Sequence, residues 1–382
     1  MEAVKKRSYD VIVVGGGIAG VSAAVSAARG GSSVLLIEKQ VNLGGLATVG
    51  LISWYEPLCD GCGKQMIFGI AEELIKLAVK HGFDEMHEKW GGSGTERRDQ
   101  RYSTLYSPTI FSIMLDKFVL ENGVKLRFDT YATYPVMEGK HCKGVICESV
   151  GGREFFEAKV VIDATGNASI CQRAGMPTVA GENFMTYVTH VVDKDSVEKY
   201  VDKGRLYKLR KWYGAGSDLD GVGHPENMGM LKGETADDVT QYMITGKMMF
   251  YEKFKDLPKD TFDIMTLPTM PQYRTIRRIV GAVDFDGVDG KKYEDSIGDC
   301  GDFRNKNIGK HYQIPYGALY NPEFDNILAC GRIISAPKGD GWEVSRVIPT
   351  CALTGEAAGK AAAKAVLDNI SVCDINAKEL FK

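Results

Sequence analysis

The hydrophobic pattern of the chain changes its period several times, and each change predicts an element. Residues 9 to 39 read YDVIVVGGGIAGVSAAVSAARGGSSVLLIEK: an apolar run at Val11 to Val14, a glycine turn, an Ala-rich stretch, and a second apolar run ending at Glu38. Apolar runs that are continuous rather than alternating suit strands covered on both faces, so this segment predicts a βαβ unit of a parallel sheet. Phe68 to His81 carries apolar residues at 70, 71, 74, 75, 78 and 79, the spacing of an amphipathic helix, with Gly82 as C-cap. Ser107-Pro108 opens another helix that Gly123 ends, and Lys125 to Phe128 reads as a returning strand. Segments 131 to 137, 143 to 149 and 154 to 162, separated by EGKH and GG turns, predict short consecutive strands.

From 171 to about 325 this grammar lapses, and aromatic, Met and charged residues become denser. Thr235 with Asp238 can cap a helix running to about Lys255, and Ile276 to Phe285 reads as a strand. The earlier pattern returns at Asn326 with NILACGRIIS, followed by the Ala-rich helix of RVIPTCALTGEAAGKAAAKAVLD. Pro349 suits a first helical turn, Thr350 can cap, and Gly355 and Gly359 permit close approach to another backbone. The ending DINAKELFK reads as the start of a helix. The expected architecture is α/β: a Rossmann-like doubly wound parallel sheet, discontinuous over 1–170 and 326–382, with an inserted α+β substrate domain at 171–325.

Gly15, Gly17 and Gly20 have the G-x-G-x-x-G spacing between the first strand and the first helix. The first allows a sharp turn, the second lets a pyrophosphate approach the backbone, and the third lets helix and strand pack closely. The helix start at Ile18 and Ala19 then offers free N–H groups and a positive dipole end to the phosphates. Glu38, at the end of the second strand, can accept ribose hydroxyls and would repel a 2′-phosphate.

Three further segments decide between dinucleotides. Gly44-Gly45 in EKQVNLGGLATVG, KVVIDATG at 159 to 166, and NILACGRIIS with its following helix resemble the glutathione reductase and fumarate reductase type of FAD-dependent flavoproteins, related to the heterodisulfide reductase A-like group. The resemblance implies bound FAD and makes the three strands at 131 to 162 the β-meander of that class. It places Gly15, Gly17, Ile18, Ala19, Gly20, Glu38, Lys39, Gly44, Gly45, Leu46, Ala47, Ala132, Ala164, Thr165, Gly166, Gly331, Arg332, Ala352 and Leu353 beside the cofactor. It also implies that the last helix aims its N-terminus at the flavin and stabilises negative charge on the reduced ring.

Composition narrows the remaining possibilities. A net charge of −3 without a long basic run gives no electrostatic footprint for nucleic acid. The four apolar residues after MEAVKKRSYD make neither a signal segment nor a membrane span, so a cytoplasmic protein is expected. Nine scattered cysteines do not form the framework of a small secreted domain, and no ligand spacing for a metal or an iron–sulfur cluster is present.

The reading is therefore an FAD-dependent oxidoreductase that passes a hydride between flavin N5 and an organic small molecule, exchanging electrons with a separate donor or acceptor. Candidate catalytic groups are His190, Arg332, Arg346 and Arg277, with His224, His311 and Trp342 behind them. The cluster Arg274, Arg277 and Arg278 can bind a carboxylate bidentately or form a structural ion-pair network with Glu294 and Asp295. Two alternatives stand: a flavin-assisted thiol-disulfide reductase using the C-x-x-C pair Cys59 and Cys62, and a flavin-binding redox sensor that does not turn over. In disulfide reductases of the resembling class the reactive cysteines follow the glycine pair within a few residues. Here that stretch is LATVGLI, which places Cys59 and Cys62 on a loop near the flavin entrance.

Overall fold

The computed structural model describes residues 4–82 and 102–381. Val11 to Val14, fully apolar and buried, are the inner half of the first strand, Val4–Val14. It runs parallel to Val34–Ile37 on one side and to Gly152–Asp163 on the other. Lys125–Arg127 extends the sheet beyond Val34–Ile37, again parallel. The long strand Gly152–Asp163 divides its outer edge. Gly152 to Glu157 pair antiparallel with His141–Ser149, which in turn pairs with Thr130–Glu138, while Val161 to Asp163 pair parallel with Ile327–Ala329. The protein is thus α/β, with a parallel sheet that carries an antiparallel meander. Val4–Val14 outruns its apolar stretch because its polar N-terminal half pairs along Glu154 to Glu157, beyond the doubly covered core.

Helices bury one face of the parallel strands, while the other face, Ile12, Val14, Leu35 and Ile37, packs with Ala132, Val145, Cys147 and Phe156 of the meander and with the short helix Ser169–Arg173. In the helix Ile18–Arg29, Ile18 to Ala27 are all buried, since Ile348–Asp368 packs directly on it. A methyl at Gly355 or Gly359 would fall 2.2 Å from the Ala19 carbonyl oxygen or 2.3 Å from that of Ala23, so only glycine permits this crossing. Ser26 Oγ donates to the Glu356 carbonyl at 2.9 Å, and the buried Glu356 carboxylate accepts the Ile70 N–H at 2.8 Å, tying a third helix to the pair. That third helix, Ile70–Val79, ends at Lys80 rather than Gly82. Pro108–Glu121 is capped by Ser107, as its sequence predicts.

Between 186 and 266 the chain builds a separate three-stranded antiparallel sheet, Lys211–Gly216, Thr186–Asp193 and Phe262–Thr266. The helix Ala236–Phe254 lies on one face, its start fixed by reciprocal Thr235 and Asp238 hydrogen bonds, and Gly246 admits the Tyr187 ring.

Three expectations change. Only Arg277–Ile279 of the segment 276 to 285 forms a strand, pairing with Thr178–Ala180. Val280 still donates to the Pro177 carbonyl, but the N–H groups of Gly281, Ala282 and Val283 turn to Ser335 Oγ and to the carbonyls of Tyr320 and Gly317, so tertiary partners replace a ladder. DINAKELFK makes just the short turn Ala377–Glu379. Thr350 is not a cap, because the last helix begins at Ile348 with Val347 before it.

Candidate active site

The glycine turn separates three physical demands. Gly15 holds φ +102°, and a methyl on it would sit 2.5 Å from the Ala164 carbonyl oxygen, while one on Gly20 would sit 1.8 Å from the Gly15 carbonyl oxygen. Gly17 differs, having open space where its methyl would point. Gly44 donates its N–H to the Gly16 carbonyl at 2.8 Å, and a methyl on Gly45 would lie 3.4 Å from Gly17 Cα, so the second glycine pair borders the same opening. Leu46 and Ala47 follow in a short turn. A bare backbone at a helix start, facing space, fits a dinucleotide pyrophosphate.

Glu38 closes one side of this opening. Its carboxylate accepts the N–H groups of Gly16 at 2.6 Å and Gln40 at 2.8 Å. A cavity beside it is lined by Gly15, Glu38, Lys39, Ala132, Thr165 and Asn167 among others, which joins residues from four distant segments. Asp163 shapes its far wall. The buried carboxylate accepts the Thr165 N–H and hydroxyl at 3.0 and 2.6 Å, and the N–H groups of Ile170 and Cys171 at 2.9 Å each. Gly166 is stacked under the Arg332 guanidinium, and Gly331 lies against Ala19 with its N–H on Thr354 Oγ1 at 3.0 Å.

A second group of side chains collects around the start of the last helix. Glu56 accepts the Ile348 N–H at 3.1 Å. Desolvation raises its pKa to about 7, against the opposing pull of its hydrogen bonds and of Arg346. Arg346 lies over the Trp342 ring at 4.8 Å and pairs with Glu343. The Arg346 Nε and Trp342 Nε1 atoms are both buried without a hydrogen-bond partner among the described residues. Arg332 donates to the carbonyls of Gly166 at 2.7 Å and Tyr273 at 2.8 Å. Burial lowers the pKa of Arg332 to about 10 and lifts that of the neighbouring Cys351 thiol to about 12. Orphaned buried donors cost about 1–3 kcal/mol each.

Residues 10–190 and 224–382 match the family described as FAD dependent oxidoreductase. The chain belongs to that family. It is similar to the digeranylgeranylglycerophospholipid reductase of Methanoculleus marisnigri, 30% identical over 197 residues that cover 46% of this chain and 43% of the relative. To the digeranylgeranylglycerophospholipid reductase 1 of Methanosphaera stadtmanae it is 25% identical, over 77% of this chain and 68% of that one. The chain thus spans less than half the length of the first of these relatives. In fold it is similar to a geranylgeranyl bacteriochlorophyll reductase-like protein from Thermoplasma acidophilum, with 15% identity, TM-score 0.50, and 95% of this chain and 80% of that one covered. The p-nitrophenol 4-monooxygenase of Pseudomonas putida gives 13% identity and the same TM-score, covering 98% and 83%.

The remaining candidate residues divide sharply by environment. His190 is fully buried, parallel to Trp212, with Nε2 3.5 Å from Ser53 Oγ, which also accepts from Trp212 Nε1 at 3.1 Å. Burial, reinforced by Arg210, pushes its pKa down to about 3, so the imidazole is neutral at ordinary pH. His224 is satisfied on both nitrogens, accepting the Met185 N–H at Nδ1 and donating from Nε2 to the Met228 carbonyl. His311 is engaged through its backbone N–H, by Asp289.

Arg277 pairs with Glu234 and Arg278 with Asp284, not with Glu294 or Asp295. Ala352 and Leu353 lie a turn inside the helix, where their N–H groups are already taken by the carbonyls of Ile348 and Pro349. Leu353 turns its side chain to Gly298. Cys59 is buried in the main core and Cys62 exposed, on a turn where Asp60 Oδ1 accepts the N–H groups of Cys62 and Lys64. Sequence reasoning missed Glu56 and Ser53. The signal available was one acidic residue in the otherwise apolar stretch LISWYEPL. Among the described residues, no helix is long and apolar enough to cross a membrane.

Proposed function

We propose that the enzyme exchanges a hydride and a proton with an organic small molecule at the start of the Ile348–Asp368 helix, with Glu56 as the proton-transferring group. When bound, FAD supplies the two-electron chemistry. The opening over Gly17, bordered by Gly45, and the cavity at Glu38, Lys39, Ala132 and Thr165 would hold the dinucleotide.

Glu56 does what a general acid or base needs. A carboxyl with a pKa of about 7 is present in both protonation states at neutral pH, and the Ile348 N–H fixes the orientation of one oxygen. Its setting is largely screened from water, which strengthens each polar contact made there. Neutral His190, against Ser53 and Trp212, would close the opposite wall without adding charge. The reading makes residues 171–325 the substrate cover and 1–170 with 326–382 the cofactor domain. The reductase names of the relatives favour reduction of the organic partner, with electrons arriving from a separate donor.

The observation that carries this reading is the hydrogen bond from the Ile348 N–H to Glu56, two positions from Arg346, whose Nε and the Nε1 of the Trp342 ring it covers are buried without a partner among the described residues. Its test is anaerobic: the FAD-loaded protein is photoreduced, mixed with a panel of organic acceptors, and followed by flavin absorbance. An acceptor that reoxidises wild type but reacts at least tenfold more slowly with Glu56→Gln, photoreduction being unaffected, is the expected outcome. Equal reoxidation rates in both proteins would remove Glu56 from the mechanism.

A further inference from the structure

We infer that Gln272 is a positioning residue for the cofactor end of the site: it ties the inserted antiparallel sheet to the loop that carries the second glycine pair, so that the inserted sheet takes part in holding FAD. This rests on the dinucleotide opening proposed above and is independent of Glu56.

The loop from Gly45 to Ser53 is folded back on itself. The Gly50 N–H donates to the Gly45 carbonyl at 3.0 Å, and the Ile52 N–H to the Leu46 carbonyl at 2.9 Å. Between these two bonds Leu51, almost fully buried, holds φ +62°. A bulky residue keeps that left-handed conformation only where its surroundings over-determine it. Gly45 in turn lies against the glycine turn, since a methyl on it would fall 3.4 Å from Gly17 Cα. The position of Gly50 therefore sets that of Gly45, and through it one border of the opening.

Gln272 grips this loop from the inserted side. The strand Phe262–Thr266 covers one edge of Thr186–Asp193 only as far as the pair His190–Thr266, and Val188 lies beyond its end. The Gln272 amide takes the place of a ladder partner there, with Oε1 accepting the Val188 N–H at 2.7 Å and Nε2 donating to the Val188 carbonyl at 2.9 Å. The other N–H of Nε2 goes to the Gly50 carbonyl at 2.7 Å. Both donors and the acceptor of this buried amide are thus used, two bonds on the sheet and one on the loop. Two neighbouring bonds run alongside: the Thr269 N–H to the Val49 carbonyl and Trp212 Nε1 to Ser53 Oγ, each at 3.1 Å. Of the three, Gln272 holds the residue whose own N–H holds Gly45. A strained loop fixed on both sides of Leu51 is a means of setting geometry at the opening, not merely of closing a core.

The test compares variants by FAD fluorescence titration, by Tm of the FAD-free protein, and by hydrogen exchange of the Gly50 and Ile52 amides without FAD. Gln272→Met, which keeps the volume and loses all three bonds, should weaken FAD by about tenfold and speed exchange at both amides. Asn183→Leu is the control for general damage to the insert. The equally buried Asn183 bonds Leu231, Arg274 and Thr275 and does not touch the loop, so its loss should lower Tm while FAD binds as in wild type. Gln272→Glu gives a pH readout: the ionised carboxylate has no proton for the Gly50 and Val188 carbonyls, whereas the protonated acid can donate to one of them. Its FAD affinity relative to wild type should recover as pH falls from 8 to 5.5, a trend that Gln272→Met lacks. Should Gln272→Met not accumulate as folded protein, the Gln272→Glu series decides alone. The inference is overturned if Gln272→Met binds FAD as wild type does, if Asn183→Leu loses FAD to the same extent, if Gln272→Glu follows wild type at every pH, or if amide exchange is unchanged. A wild-type protein that takes up no FAD would sink the cofactor site, while the exchange arm, which needs no cofactor, still judges the tether.

Discussion

The Glu56 carboxylate and the Ile348 backbone N–H, 292 positions apart, meet at 3.1 Å and join the loop after the second glycine pair to the start of the last helix. Because the folded pKa of Glu56 is about 7 against 4.5 for a free glutamate, the native state binds its proton more tightly than the unfolded one. Its contribution to stability is therefore complete below about pH 4.5 and lost as pH rises through 7. Glu56→Gln, which cannot ionise, should gain stability relative to wild type by about 2 kcal/mol between pH 5 and pH 8, measured by denaturant unfolding at each pH. A constant difference across that range would contradict the raised pKa.

His190 has the opposite sign. Its pKa falls from 6.5 to about 3 through burial, so its contribution is present above 6.5 and lost as pH falls below it. NMR of labelled histidine should show one imidazole that stays neutral from pH 8 to pH 5, and that resonance should vanish in His190→Gln.

Gly17 and Gly20 should respond to a methyl in different ways. Gly20→Ala places a carbon 1.8 Å from the Gly15 carbonyl oxygen and should destabilise the FAD-free protein by about 3 kcal/mol or more. Gly17→Ala meets open space, so the FAD-free protein should lose less than about 1 kcal/mol, while its FAD affinity drops at least tenfold. Unfolding curves and flavin fluorescence titrations on both variants measure this contrast.

Asp302 is fully buried and accepts from Arg304 Nε at 2.9 Å, Asn307 Nδ2 at 2.9 Å and the Tyr312 hydroxyl at 2.8 Å, while Arg304 also holds Asp340 at 2.7 Å. This anchors the loop that carries Trp342. Asp302→Ala leaves Asn307 Nδ2 and the Tyr312 hydroxyl without their shared acceptor and removes one of the two carboxylates on Arg304, and it should cost about 3 kcal/mol in unfolding free energy.

Cysteine chemistry should be confined to the surface. In the native protein Cys62 should react first with a thiol reagent, and Cys142 and Cys351, whose pKa values burial raises to about 11 and about 12, should react only on unfolding. The double variant Cys59→Ser, Cys62→Ser should keep wild-type turnover in the acceptor assay.

Much of the frame was legible in the chain. The strand at Val11 to Val14, the Thr235 cap and the meander boundaries follow from apolar period and turn residues, because each depends on neighbours a few positions away. Ile276 to Phe285 misled for the complementary reason. Its β-branched residues fit a strand, yet the N–H groups after Val280 found partners at 317 to 335 that no local pattern announces.

The site followed the same division. By itself the sequence determined the glycine turn, since Gly15 and Gly20 meet a local steric demand that spacing alone encodes. Only the tertiary structure decided the surroundings of Glu56 and His190. Whether Glu56 titrates near 7, whether His190 is neutral, and which arginines keep their charge to themselves depend on desolvation and on partners such as Ile348, Ser53 and Glu234, supplied by segments up to 292 positions away.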